Sequence, residues 1–381
     1  MDETKFTGTI AGEVRWAMNG AYCYFHPHEL PPNMVIDRRT QLTLSEAAVE
    51  LARLDGMTSQ MDTEEYEILL TAFTLMESAS SSSIEGTRST LDDLYRSERI
   101  EEEDALRARD NREVMSYKNA LAEGLGALKG GEKISVDLIK RLHRTLMRND
   151  RGSNLSPGEF KTSQNAIGTA GDNLETAKMV PACPESVERL MDNWIEYVNS
   201  EDVGTIEKTA VSHFQFESIH PFRDGNGRMG RLLIVLTIYS DGLLRSPVLY
   251  PSDYFNRHRD EYIDGLFDVA SKDAFKEWLS FFAEALRTQA LSSMKTIGRL
   301  RRYRKELTNN EKNINIVRTV GMLFRNPYVR ATDVKKALGI SLPTANSVLG
   351  ELQGRGVIRE ITGRSRNRVY LADGIMEILK G

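Results

Sequence analysis

Cysteine is scarce: only Cys23 and Cys183 occur in 381 residues. Two thiols so far apart, with no second cysteine near either, offer neither a disulfide scaffold nor a zinc site of ordinary spacing. They suit a reducing cytoplasm. Long apolar runs are missing too. The stretch 232–239 is far too short to cross a bilayer, in line with a mean hydropathy of −0.41. The opening Met-Asp-Glu-Thr-Lys has no basic segment leading into an apolar core, so no secretory leader is expected. There are no repeats and no long disordered tract. No alternation of strand-like and helix-like segments points to a parallel sheet. These absences leave a mostly helical cytoplasmic chain of two or three domains with no membrane contact.

Charge is present but unevenly spread. From Arg301 onward there are 16 Lys/Arg against 7 Asp/Glu. That end therefore carries about +9, and residues 1–300 about −14. Such a split suggests that the C-terminal part meets something acidic that the rest does not.

The most informative segment is 220–231, His-Pro-Phe-Arg-Asp-Gly-Asn-Gly-Arg-Met-Gly-Arg. Taken singly, its residues have ordinary explanations: a structural histidine, a turn aspartate, a solvated arginine pair. Together they fit a polyphosphate. Gly225 and Gly227 let backbone N–H groups approach oxygens closely. The apolar run that follows reads as a helix, which sets this nest at a helix N-terminus where the dipole favours anions. Arg228 and Arg231, three apart, share one helical face. Asp224 offers the oxygen that Mg²⁺ prefers. His220 can accept a proton near neutral pH.

This segment resembles the signature of the Fic family, His-x-Phe-x-(Asp/Glu)-Gly-Asn-Gly-Arg-x-x-Arg, at every defined position. The resemblance implies transfer of AMP from ATP, with Mg²⁺, to a Ser, Thr or Tyr hydroxyl of a protein, itself among the candidates. It implies His220 as general base, Phe222 as a buried anchor and Asp224 as metal ligand. Gly225, Asn226 and Gly227 would cradle the α- and β-phosphates, with Arg228 on the β side and Gly230 in the same site, and Arg231 would meet the γ-phosphate. Residues 81–86, Ser-Ser-Ser-Ile-Glu-Gly, resemble the family's inhibitory motif and close a stretch of helical periodicity over 64–83. Ser81, Glu85 and Gly86 are its defined positions: Glu85 would pair with Arg231 in the γ-phosphate's seat, and Gly86 suits a helix C-cap. Residues 157–178 carry a Gly171-Asp172 turn and resemble the flap hairpin that pairs with a target strand. The family's Arg after Gly-Glu-Phe is Lys161 here, which leaves the structural pair at that site open. Tyr254, Asn256 and Tyr262 fall where relatives build the adenine pocket, with Tyr262 a stacking or hydrogen-bonding aromatic.

The basic end resembles a winged helix-turn-helix. Residues 311–324, 332–338 and 341–354 read as helices, and 329–330, 357–361 and 368–371 as strands. Thr344, Asn346 and Ser347 would lie on the recognition helix and Arg364, Arg366 and Arg368 on the wing. DNA and a docking protein both remain open as its ligand.

The expected fold class is thus mostly α: a Fic helical core with a β-hairpin flap, plus a C-terminal winged helix-turn-helix. The expected domains are an N-terminal arm with regulatory helices (1–110), the core (111–290), a basic linker helix (291–307) and the winged helix (308–381). Within the first, residues 1–34 read as irregular because Pro27, Pro31 and Pro32 break any helix, and the acidic stretch 98–110 reads as a connection to the core. A homodimer is expected. Two functions stay open: an adenylyltransferase held in check by Glu85, or a DNA-binding regulator whose core senses a nucleotide. Transfer of another phosphate-containing group is a variant of the first.

Overall fold

The computed structural model describes residues 1–18, 20–100, 104–148, 155–169 and 171–381. The N-terminal residues form a hairpin rather than an irregular arm. Strands β1 (Gly12–Trp16) and β2 (Cys23–Pro27) pair antiparallel, Gly12 opposite Pro27 and Trp16 opposite Cys23. The prolines there bar a helix but not a strand end, and β2 is buried along its whole length. Helices α1 (Arg38–Thr58) and α2 (Thr63–Ile84) follow, each started by an aspartate whose side chain accepts a first-turn N–H. Next come α3 (Leu91–Ser97), α4 (Ala105–Lys129) and α5 (Val136–Leu146). Residues 105–110 of the acidic stretch are therefore the start of α4, residues 98–100 are the turn after α3, and residues 101–103 lie outside the described residues.

The centre of the fold is α6 (Val187–Val198), α7 (Thr205–Ile219) and α8 (Asn226–Ser240). Helices α7 and α8 are buried on nearly every side, which is why their sequences show no single apolar stripe. They pack on each other, with α4 against α8 and α2 against α4. Then α9 (Pro251–Arg257), α10 (Arg259–Lys272) and the long α11 (Phe275–Thr308) enclose the bundle. The basic segment 291–307 is the second half of α11. It does not span a gap: Ser293, Thr296, Ile297 and Leu300 are buried, and Arg301 and Arg304 pair with Glu65 and Glu64 of α2.

The C-terminal unit comprises α12 (Ile314–Arg325), β3 (Tyr328–Arg330), α13 (Ala331–Leu338), α14 (Leu342–Gly354), β4 (Arg359–Glu360), β5 (Val369–Leu371) and α15 (Asp373–Lys380). Its strands form one antiparallel sheet in the order β3-β5-β4. The unit rests on α2 and α3, with Arg325 near Glu67 of α2 and Asn326 bonded to the Tyr95 carbonyl of α3. Among the described residues no helix is long and apolar enough to cross a membrane.

Candidate active site

The loop between α7 and α8 is tightly specified. Its first residue, His220, caps α7 in the left-handed region (φ 49°), where a residue other than glycine is uncommon. Several buried groups hold it there. Asn226 Oδ1 accepts from the Phe222 N–H and its Nδ2 donates to the Phe222 carbonyl, both at 2.8 Å. The Asn226 side chain is thus the clasp of the loop, and only its backbone is left for an anion. Phe222 is fully buried, with its ring stacked on His143 at 3.7 Å between centroids. His143 Nδ1 accepts from the Gly158 N–H at 2.8 Å, so its Nε2 carries the proton and donates to the Asp224 carbonyl at 2.9 Å. Lys161 replaces the expected arginine fork with a single buried ammonium. It donates to Asn165 Oδ1 and to the Ile219 carbonyl at the end of α7.

A cavity of about 970 Å³ opens beside this loop. His220, Asp224, Gly225, Asn226, Gly227, Arg228 and Arg231 all border it, as does Glu85. The glycines are needed where the backbone approaches other groups. Gly225 has φ 76°, and a Cβ there would lie 2.5 Å from Met147 Sδ. A Cβ on Gly227 would lie 2.4 Å from Glu85 Oε1. A carboxylate therefore already sits at the N-terminus of α8, in the seat that favours anions.

That carboxylate arrives from the end of α2. Glu85 Oε1 accepts from Arg231 Nη2 at 2.6 Å. Ser81 accepts twice from the same guanidinium, through Oγ at 2.9 Å and its carbonyl at 3.1 Å. Gly86, at φ 92°, ends the helix: its N–H bonds to the Ser83 carbonyl and that of Thr87 to the Ser82 carbonyl. Burial opposes charge on both partners, and their mutual attraction more than offsets it. The Glu85 carboxyl is held below its ordinary range and Arg231 above its own. The pair is asymmetric. The Arg231 side chain is 2% exposed and that of Glu85 is 43% exposed, so Glu85 is the partner that a ligand in the cavity can displace.

His220 is uncharged at neutral pH, because burial and then the Lys161 charge pull its pKa down to about 3. Its Nδ1 lies 3.3 Å from the Glu217 carbonyl, an acceptor, which leaves Nε2 as the unprotonated nitrogen.

Not every expected site residue borders the cavity. Gly230 does not border the cavity: it faces α7, where a Cβ would lie 2.3 Å from Glu217 Oε1, so it serves helix packing. Tyr262 borders the cavity but is not an open stacking surface. It is buried, its ring lies 4.8 Å from that of Phe255, and its hydroxyl bonds His213 Nε2 at 2.8 Å. Tyr254 stacks on His258, and Asn256 reaches Ser83, both outside the cavity wall. The wall on that side is instead Ile263, Leu266 and Phe267 of α10, Phe214 of α7 and Ile167 and Met179 of the flap. The flap hairpin reduces to one antiparallel bridge, Ile167 with Met179, and its Ala170 lies outside the described residues. Sequence reasoning did not find Lys161's contacts, His143, His213 or Glu217. The only prior signal was their polar character within otherwise buried segments.

A helical bundle that sets a histidine, a carboxylate, two arginines and a glycine-lined helix N-terminus around one cavity has the chemistry of an anion site. The chain belongs to the Fic/DOC family. That family's profile matches residues 133–238, and the profile of its N-terminal region matches residues 42–126. The chain is 28% identical over 173 residues to the protein adenylyltransferase fic-1 of Caenorhabditis elegans, covering 44% of this chain and 31% of that protein. It is 27% identical over 195 residues to a probable protein adenylyltransferase of Aquifex aeolicus (strain VF5), covering 45% and 54%. The chain thus spans about a third to a half of the length of these curated relatives. Among solved structures, a Fic family protein from Desulfovibrio desulfuricans G20 superposes with a TM-score of 0.58 at 19% identity, over 90% of this chain and 98% of that one. Fic-1 from C. elegans gives 0.54 at 19% identity, over 70% and 75%. These last two likenesses concern the fold alone.

Proposed function

We propose that this chain transfers AMP from ATP to a Ser, Thr or Tyr hydroxyl of a protein, itself among the candidates, and that Glu85 holds it in check. The observation that carries the reading is the position of Glu85. Its carboxylate pairs with Arg231 at the N-terminus of α8, in the cavity that His220 and Asp224 also border. An acid placed there competes with a phosphate for the same seat. In this reading Arg231 receives the γ-phosphate, the backbone at Gly225 and Gly227 receives the other phosphates, and Nε2 of His220 takes the proton of the target hydroxyl. The donor set fits Mg²⁺. Asp224 borders the cavity, and among the described residues no three His, Cys, Asp or Glu side chains gather into a cage. Mg²⁺ commonly binds through one carboxylate together with phosphate oxygens and water. When bound, the ion would offset phosphate charge in the transition state.

The direct test is incubation with ATP or UTP, alone and with cell lysate, followed by intact-mass measurement. A gain equal to AMP supports the reading, and none across many targets counts against it. Asp224→Ala is expected to abolish metal-dependent transfer, a loss of about a hundredfold or more if the ion supplies several kcal/mol. Equal transfer in excess chelator would remove the metal from the scheme.

A second activity is proposed for the C-terminal unit, read as a winged helix-turn-helix that contacts duplex DNA. The helices α12, α13 and α14 with a three-stranded antiparallel sheet support the reading. On α14, Ala345, Val348 and Leu349 are buried, while Thr344, Asn346 and Ser347 are exposed together with Lys335 and Lys336 of α13. Arg364, Arg366 and Arg368 are exposed between β4 and β5. Replacing these three by alanine in the full chain is expected to weaken duplex binding. The slope of log K against log salt should fall by about 0.9 for each phosphate that is no longer neutralised. A full chain with no duplex affinity at low salt would make the unit a protein-docking module.

A further inference from the structure

Glu217 has no role in the scheme above, yet its carboxyl lies against the base. It stands three residues before His220 on α7, with Oε2 3.7 Å from His220 Nδ1. Its Oε1 is buried without a hydrogen-bond partner among the described residues. Leaving such an atom unsatisfied destabilises the fold. Room for it is kept by a glycine inside a helix, since a Cβ on Gly230 would meet Oε1 at 2.3 Å, and glycine there is less favourable than alanine. Packing alone would favour an apolar residue at 217 and alanine at 230. The charged and titratable groups around it are Arg231 of α8, Glu85 of α2, Tyr262 of α10, and His213 and His220 of its own helix. Lys161 acts on His220 from the loop before the flap.

We propose that Glu217 is a positioning residue for His220: its carboxyl braces the Nδ1 edge of the imidazole, whose tautomer the Glu217 backbone carbonyl already sets, and as a carboxylate it offsets the charge that the ring gains on taking a proton. The proposal rests on His220 acting as the base. In that step the O–H bond of the target hydroxyl breaks and its proton goes to Nε2. The hydroxyl oxygen bonds to the α-phosphorus, and the bond from the α-phosphorus to the bridging oxygen breaks, its electron pair leaving on pyrophosphate. Glu217 takes no proton in the step. Its charge sets how readily the imidazolium forms.

The ionisation of Glu217 gives the proposal a signature. Burial raises its pKa to about 8, Arg231 pulls it down and Glu85 pushes it up. The acid is therefore neutral below that value and charged above it, and loss of the Glu85 charge moves the midpoint down. Histidine labelled with ¹⁵N in the full chain reads this without any transfer assay, with His220 assigned by its absence in His220→Ala. The His220 Nδ1 resonance is expected to move with pH through about 8 in the wild type and at lower pH in Glu85→Gly. The step near 8 should vanish in Glu217→Gln and in Glu217→Met, which keep the volume without the charge, leaving only the step that Lys161, pulled down to about 7 by burial, imposes on the ring. In the Glu85→Gly background, Glu217→Gln is expected to lower kcat on the order of a hundredfold. KM for ATP should stay nearly unchanged, and the rise of kcat with pH should be lost. A wild-type His220 resonance that does not sense this titration overturns the proposal. So does a folded Glu217→Gln enzyme with the parent's kcat and pH profile. If the Glu85→Gly parent transfers no AMP, the proposed function fails, and the resonance still decides the coupling between Glu217 and His220.

Discussion

Glu85→Gly is expected to raise AMP transfer, onto the chain itself or onto lysate proteins, by about a hundredfold, which corresponds to about 2.7 kcal/mol. Three features support an effect of this size. The Glu85 carboxylate lies 2.6 Å from Arg231 and beside the backbone of Gly227, so the seat of one phosphate is filled. ATP that binds without that seat holds its α-phosphate out of line, and misalignment alone costs orders of magnitude. Finally, Arg231 loses little when Glu85 goes, because Ser81 still accepts from it through both Oγ and the carbonyl. The guanidinium stays aimed at the cavity, ready for phosphate. The double variant Glu85→Gly with Arg231→Ala should therefore lose the gain. Activity of Glu85→Gly no greater than wild type, across several targets, would refute inhibition by this residue. The chemistry at His220 could then still hold, with regulation placed elsewhere.

His220→Ala is expected to reduce transfer by about 10²–10⁴-fold, the range for a positioned general base, while ATP affinity changes less than about threefold, under 1 kcal/mol. The separation follows from the geometry. Phosphates would meet backbone groups at the start of α8 and the two arginines, and none of these is held by the imidazole. The loop itself is fixed by Asn226, His143 and Lys161 through backbone groups at Phe222, Asp224 and Ile219. Removing the ring also relieves nothing in the left-handed backbone, since alanine is no better suited to φ 49° than histidine. Isothermal titration with ATP and single-turnover transfer in the Glu85→Gly background measure the two quantities separately. Loss of ATP binding by a folded His220→Ala protein would make His220 structural rather than catalytic.

Much of the site was legible because it is local. Residues 220–231 are contiguous, and a glycine-rich turn running into an apolar helix announces an anion site without any long-range information. The helix ending at Glu85 was equally readable from its periodicity and from Gly86. Helix α8 was readable from the motif that opens it rather than from an amphipathic stripe, because it is enclosed. The N-terminal hairpin was missed because its prolines argue against a helix and say little about strand pairing.

The sequence by itself determined the chemistry on offer and the local backbone that presents it: a base, an acid, two arginines and glycines placed where left-handed or close-approaching backbone is required. Only the tertiary structure decided which of these groups meet. Glu85 and Arg231 are 146 positions apart, and His143 and Asp224 are 81 apart. Nothing in either neighbourhood encodes the distance between them. Packing also moved Gly230 from the phosphate site to the interface with α7 and turned Tyr262 inward against Phe255. The physical reason is that a turn or a helix cap is satisfied within a few residues of its own chain. A buried charge or ring is satisfied only by whatever the rest of the fold brings to it.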